Sequence, residues 1–470
     1  MKKKSENQRI KLRTLARWGG IISWAIFLAS CSRTYPADRV KESIQEICRK
    51  EYSIENVQVK IAGTTVGVYL PMKKLFATDF KEALQGGNAE LKDIENLFRP
   101  LPEALDQVED VLFSTSRVLL STDRDLKFYV LQATDIEKTG LQLVLTGYAD
   151  DMKRVRLWDI SRDEFRQRIL HEIRMNRAVV ANRPVRSFFE ALGKASSLEE
   201  IQPYFAEPIS PELFESLFLL DPSLRGAPSI RWHLGELRSI PLEGTQLLVY
   251  VPVTVEYDET QGLRPKEIYV PSGSLLEYFF VVSVDSEPAR IQRVLPLFSL
   301  DEGGKIQKIQ IPGAYDIKKD MESWDTEFTV SEIRLGDFLA EQLTRRTQAL
   351  LFEDERIHNT FKGPIRLVFQ YHGETPKSYF SLELDAQLKT AAPDSLAVSA
   401  LHEDMLYLLS RASREFVEVL RSYRFSDYEF LQLNLAPDPA SLVLPREGLE
   451  LFRRNKADLQ GILKTLSPSL

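Results

Sequence analysis

Residues able to do chemistry are few in this 470-residue chain: two cysteines, Cys31 and Cys48, and five histidines, His171, His233, His358, His372 and His402. Two of the histidines open a His-Glu pair, His171-Glu172 and His402-Glu403. A zinc-protease helix needs a second histidine four positions on, so that both imidazoles share one face. Those positions hold Met175 and Leu406. No GxSxG nucleophile elbow, SxxK pair or P-loop is present in the sequence. Acidic neighbours such as Asp150-Asp151 and Asp301-Glu302 lack partners at a spacing that would build an acid–base pair or a cation site, and read as solvated turns. Cys48 falls at helical spacing with Val40, Ile44 and Ile47, the place of a small hydrophobe on a buried helix face. The sequence therefore predicts no catalytic residue, no metal site and no cofactor.

Cys31 stands in a different setting. Residues 1–17 are polar and basic, and residues 18–30, WGGIISWAIFLAS, are apolar. This run falls short of the roughly twenty apolar residues that span a bilayer. A charged segment, an apolar segment and then small residues is the layout of a secretory signal peptide. Leu28-Ala29-Ser30-Cys31 resembles the lipobox of bacterial lipoproteins: an aliphatic residue, two small residues, then cysteine. The resemblance implies that the Cys31 thiol receives a diacylglyceryl group and that a lipoprotein signal peptidase cuts before it. Cys31 would then be the first residue of the mature chain, held to the membrane by several acyl chains at about 0.8 kcal/mol per buried CH₂. Ser32, rather than Asp, follows it. Within that family this implies the outer membrane, facing the periplasm, over the inner membrane.

Charge separates along the same line. The formal net charge of −7 divides into +6 for residues 1–30 and −13 for the remainder. An acidic body lacks the basic face that displaces counterions from a nucleic acid, which argues against general nucleic-acid binding.

The elements that would carry any site read as a multidomain α+β protein, with antiparallel sheets and packed helices. The expected divisions are a signal peptide over 1–30, a tether over 31–37, an α+β domain over 38–182, a second over 184–315 and a third over 329–466. Arg183-Pro184 marks the first boundary. In the first domain, Asn56–Leu70 reads as a strand pair broken near Gly63, with a helix from Glu103 to Leu120. Leu126–Ala133, Leu141–Tyr148 and Arg154–Trp158 read as strands. Ser161-Arg-Asp-Glu164 is a capping box that opens a helix over 162–177. The third domain gives the same α-β-β-α-β-β-α order. Glu109-Asp-Val-Leu-Phe113 parallels Glu403-Asp-Met-Leu-Tyr407, and FYVLQ at 128–132 parallels YEFLQ at 428–432. Duplication and chance similarity between α+β domains both account for this.

The middle domain places short helices before long strand-like runs. That order, with the FFEAL…YFAEPISPELFE opening over 188–215, resembles the nuclear-transport-factor-two-like, cystatin-related cone. The resemblance implies a strongly bent antiparallel sheet that often encloses an apolar pocket. Trp232-His233 on its first strand either lines such a pocket or is a core aromatic beside a satisfied histidine. Arg162, Arg166, Arg168, Arg174 and Arg177 fall along the expected 162–177 helix, as a solvated face or as a contact for anionic lipid head groups. The function expected is a lipid-anchored, non-enzymatic scaffold or partner-binding module, with other envelope proteins as partners. The alternative is a carrier of a small apolar ligand, and an envelope enzyme is the least supported.

Overall fold

The computed structural model describes residues 35–76, 100–137, 139–224, 230–257, 270–285, 288–300, 306–308, 320–373, 377–388, 403–436 and 441–454. Cys31 and the signal segment lie outside the described residues. The chain is a multidomain α+β protein that forms two compact units. One comprises the residues up to Phe165 with His171–Ser331; the other comprises Arg166–Leu170 with the residues from Glu332 on.

Tyr35, the first described residue, is bridged to Thr122, and Ala37–Arg39 form a 3₁₀ turn, so the expected 31–37 tether is ordered at least from Tyr35 on. Helix α1 (Val40–Tyr52) buries Val40, Ile44, Ile47 and Cys48 along one stripe and ends where Ser53 turns left-handed at φ 59°. Strands β1 (Gln58–Ala62) and β2 (Thr65–Met72) form a hairpin closed by Ala62 opposite Thr65, with Gly63 at φ 53° in its turn. Positive φ is a conformation glycine takes without a Cβ penalty. Helix α2 (Pro102–Leu119) crosses over to β3 (Phe128–Asp135), which lies parallel to β2, and β4 (Leu141–Tyr148) returns antiparallel. Val66, Val68, Tyr129, Leu131 and Ala133 share one apolar core with the buried sides of α1 and α2.

Three expectations change after β4. Arg154–Trp158 is not a strand: Ala149–Arg156 forms helix α3, whose apolar Ala149 and Met152 turn into the same core. The helix foreseen over 162–177 is three elements: α4 (Arg162–Arg168), β5 (Leu170–Met175) on the free edge of β4, and the start of α5 (Arg177–Leu192). The capping hydrogen bond itself is present, with Glu164 N–H donating to Ser161 Oγ at 3.0 Å. Arg183-Pro184 is no boundary but the interior of α5, a continuous helix in which Pro184 is buried.

Helix α5 then joins two single-turn 3₁₀ helices and α6 (Pro211–Phe218), which Ser210 caps by accepting from Leu213 N–H at 3.2 Å. Strands β6 (Arg231–Leu234), β7 (Arg238–Pro241), β8 (Gln246–Glu256), β9 (Ser274–Ser283) and β10 (Arg290–Pro296) form an antiparallel sheet in the order β10-β9-β8-β6, with β7 also on β8. Phe188, Phe189, Phe214, Phe218, Tyr278 and Phe280 are buried between these helices and the sheet, with ring centroids 4.9–6.4 Å apart. These rings fill the interior with side chains.

The second unit's four-stranded sheet has the order and pairing of β1–β4 in the first. Helix α7 (Leu335–Phe352) and the short α8 (Glu355–Thr360) lead into the antiparallel pair β13 (Phe361–His372) and β14 (Tyr379–Leu388), numbered after the small hairpin β11 (Phe298–Leu300) and β12 (Ile306–Lys308). Helix α9 (Glu403–Ser422) crosses to β15 (Phe430–Ala436), parallel to β14; β16 (Ser441–Pro445) is antiparallel, and α10 (Arg446–Arg453) follows. Both sheets thus have two hairpins joined by a central parallel pair. Of the two five-residue similarities, FYVLQ and YEFLQ fall at the equivalent strands β3 and β15, whereas the other pair is placed differently along its helix. Asp110 lies nine residues before the end of α2, whereas Asp404 lies eighteen before the end of α9.

Candidate functional site

The face of the first sheet turned away from α1 and α2 mixes buried apolar residues such as Phe128, Val130 and Val144 with buried polar ones. Gln132 on β3 and Gln142 on β4 are 4% and 1% exposed. Such amides are tolerated in a buried position when their groups are paired. Gln142 Nε2 donates to Thr134 Oγ1 at 2.8 Å, and its Oε1 accepts from Arg174 Nε on β5 at 3.1 Å. Gln132 Nε2 donates to the Thr329 carbonyl at 3.0 Å.

The segment carrying Thr329 returns from the middle of the chain across this face. Trp324 packs on Phe279, and Asp325 pairs with Ser239 through both backbone groups. Phe328 stacks on Tyr69 with centroids 5.4 Å apart, and the Lys60 ammonium lies 5.4 Å from the centroid of its ring. The Glu327 carboxylate accepts from Asn182 Nδ2 at 2.9 Å and from Arg186 Nη2 at 3.0 Å, so its charge is neutralised on α5. Asn176, the N-cap of α5, accepts from Val179 N–H and donates to the Glu327 carbonyl at 2.8 Å.

Between this segment and the strands lies an open cleft of about 400 Å³, within the range of small-molecule sites. Arg174 and Arg177 line it. Both are exposed, and among the described residues neither is ion-paired; Asp325 and Glu327 also line the cleft, and Glu327 is already paired with Arg186, so the two guanidinium groups can meet an anionic group on a partner or ligand. Among the described residues no group of three or more His, Cys, Asp and Glu side chains could hold a metal ion.

The five arginines read as one face are dispersed. Arg162 is exposed at the start of α4, while Arg174 and Arg177 belong to the cleft. Arg166 and Arg168 are grouped with the second unit, where Arg168 is 2% exposed and its guanidinium lies 4.5 Å from the centroid of the Tyr423 ring. A basic face on one helix is therefore corrected: the stretch changes from helix to strand and back, which turns its side chains in different directions. Trp232 and His233 alternate across β6. Trp232 packs on the core ring of Phe189 at 5.7 Å, and His233 is exposed with Nε2 3.0 Å from Glu256 Oε2. Trp232 is half-buried against the core and His233 faces solvent, so the two side chains lie on opposite faces of β6.

Sequence reasoning missed Gln132, Gln142 and Glu327. The only available signal was a polar residue within otherwise apolar strands, as in FYVLQATD and LQLVLTGY. Comparison with known protein families, curated proteins and solved structures found no match to this chain.

Proposed function

We propose that this protein is a bacterial envelope lipoprotein, anchored through acylated Cys31, whose body is a non-enzymatic partner-binding module on the periplasmic side of the outer membrane. The lipobox Leu28-Ala29-Ser30-Cys31 carries the reading. The fold supports it, because Tyr35 is already bridged to Thr122 and only three residues separate it from Cys31. Extended, that stretch reaches about 13 Å, so an acylated chain holds its first domain against the lipid surface. The cleft with Arg174 and Arg177 supports a polar, anionic contact on the partner.

Metabolic labelling with an alkyne fatty acid tests the anchor: label is expected on the wild type and absent from Cys31→Ala. Label retained in Cys31→Ala refutes it. Cross-linking in intact cells tests the binding role. An envelope protein is expected to be captured by the wild type and lost from Arg174→Glu/Arg177→Glu, and capture unchanged in that variant removes the cleft as the contact.

A further inference from the structure

The turn that follows α3 holds two large apolar side chains in solvent. Leu157 is 77% exposed and Trp158 is 85% exposed. Trp158 adopts φ 63°, a left-handed conformation unfavourable for a bulky residue, which persists only where the surroundings over-determine it. Three backbone hydrogen bonds close the turn: Leu157 N–H to the Lys153 carbonyl, Trp158 N–H to Val155 and Asp159 N–H to Arg154. Arg154 bridges its base, with Nε 2.7 Å from Asp159 and Nη1 3.4 Å from Asp151. Lys153 is paired with Asp150 at 2.9 Å. Among the described residues, Arg156 and Arg162 are exposed on either side of the apolar tip and form no ion pair.

The tip and the anchored end of the chain share one end of the first sheet. Tyr35 is bridged to Thr122, in the connection that enters β3. The first residue of β3, Phe128, is opposite the last residue of β4, Tyr148, and Ala149 N–H, opening α3, donates to the Lys127 carbonyl at 2.7 Å. Helix α3 is eight residues, about 12 Å, and the tip follows directly.

We infer that Leu157 and Trp158 insert into the interface of the bilayer that carries the Cys31 lipid, while Arg156 and Arg162 meet anionic head groups. This rests on the lipoprotein reading. Tryptophan and arginine suit the interface because each joins an apolar body to a polar end. A second contact beside the acyl chains fixes which face the domain presents to the periplasm.

The test uses the full mature lipoprotein reconstituted in vesicles of phosphatidylcholine and phosphatidylglycerol at 3:1. Shallow brominated lipids are expected to quench tryptophan emission several-fold more in the wild type than in Trp158→Phe, whose remaining tryptophans, Trp232 and Trp324, serve as the internal control. Quenching by bromolipid is expected to weaken in Arg156→Glu/Arg162→Glu and in pure phosphatidylcholine. Equal quenching of wild type and Trp158→Phe overturns the inference, as does a Trp158 that acrylamide still reaches on vesicles. Protection of Trp158 only when an envelope protein is added also overturns it, and assigns the tip to a protein partner. A lipoprotein that stays on vesicles with Trp158 exposed removes the insertion and leaves the anchor standing, whereas loss of fatty-acid label removes the anchor itself.

Discussion

Glu327 receives Arg186 on a single carboxylate oxygen, with Nη2 at 3.0 Å and Nε at 3.2 Å, and this pair ties the returning segment to α5. The same oxygen accepts from Asn182, which is fully buried. Removing the carboxylate therefore costs more than removing the cation. Glu327→Ala leaves the Asn182 amide unpaired and is expected to destabilise the first unit by about 1–3 kcal/mol. Arg186 is 44% exposed along its side chain, and Arg186→Ala is expected to cost about 1 kcal/mol or less. Urea-denaturation midpoints of the two variants check the order. A larger loss for Arg186→Ala would contradict it.

Gly67 on β2 is a close-approach position. A Cβ there would run into the Cγ2 atom of Val330 and stand 3.2 Å from the Phe328 ring. Gly67→Ala is expected to lift the returning segment off the sheet and to cost about 1–3 kcal/mol, as overpacking does. Val330→Ala makes the room, so the double variant should recover part of the loss, a coupling visible in a double-mutant cycle. Hydrogen exchange over residues 326–331 is expected to speed up in Gly67→Ala and to slow again in the double variant.

Element type was readable wherever one periodicity held over a long run. Helix α1, the β1–β2 hairpin, α2, β3 and β4 lie where the apolar spacing puts them. The pattern misled at 154–177, a stretch rich in arginine. There Phe165, Ile169 and Ile173 at helical spacing fit one long helix, yet β5 gains its hydrogen bonds from the free edge of β4. Tertiary pairing overrides local preference in such a segment. At Arg183-Pro184 a proline read as punctuation is accommodated inside α5, in a helix that buries Val185, Phe188, Phe189 and Leu192. The cleft was not legible, because it joins β3, β4 and β5 to Glu327 and Thr329, nearly two hundred positions along the chain from Gln132.

Buried tyrosines set an alkaline limit. Tyr69, Tyr129 and Tyr278 are each 1% exposed or less, and burial pushes all three hydroxyls well above the ordinary tyrosine range. Above about pH 10 the unfolded chain loses these protons while the folded chain keeps them, so stability falls as pH rises. Three such groups give a slope of about 4 kcal/mol per pH unit in that window. Stability measured between pH 9 and 11 is expected to be flat and then to fall steeply. Tyrosinate absorbance of these residues should appear only with unfolding, and a smooth native titration of all sixteen tyrosines would refute the expectation.

The two cysteines should separate by reactivity. Cys48 is fully buried on α1, and desolvation raises its thiol above the ordinary value, so little thiolate exists and reagent has no access. Native protein at pH 8 is therefore expected to give no fast reaction with a thiol reagent from Cys48. After denaturation, the acylated mature protein should give one reactive thiol, because the sulfur of Cys31 is held in a thioether. The Cys31→Ala variant should also give one, from Cys48. Precursor that has not yet been acylated should give two. The count after denaturation thus reports lipidation, and the rate before it reports the packing of α1. A fast single thiol in native mature protein would mean that the Cys48 face of α1 opens, and a count of two in protein extracted from the membrane would mean that Cys31 carries no acyl group.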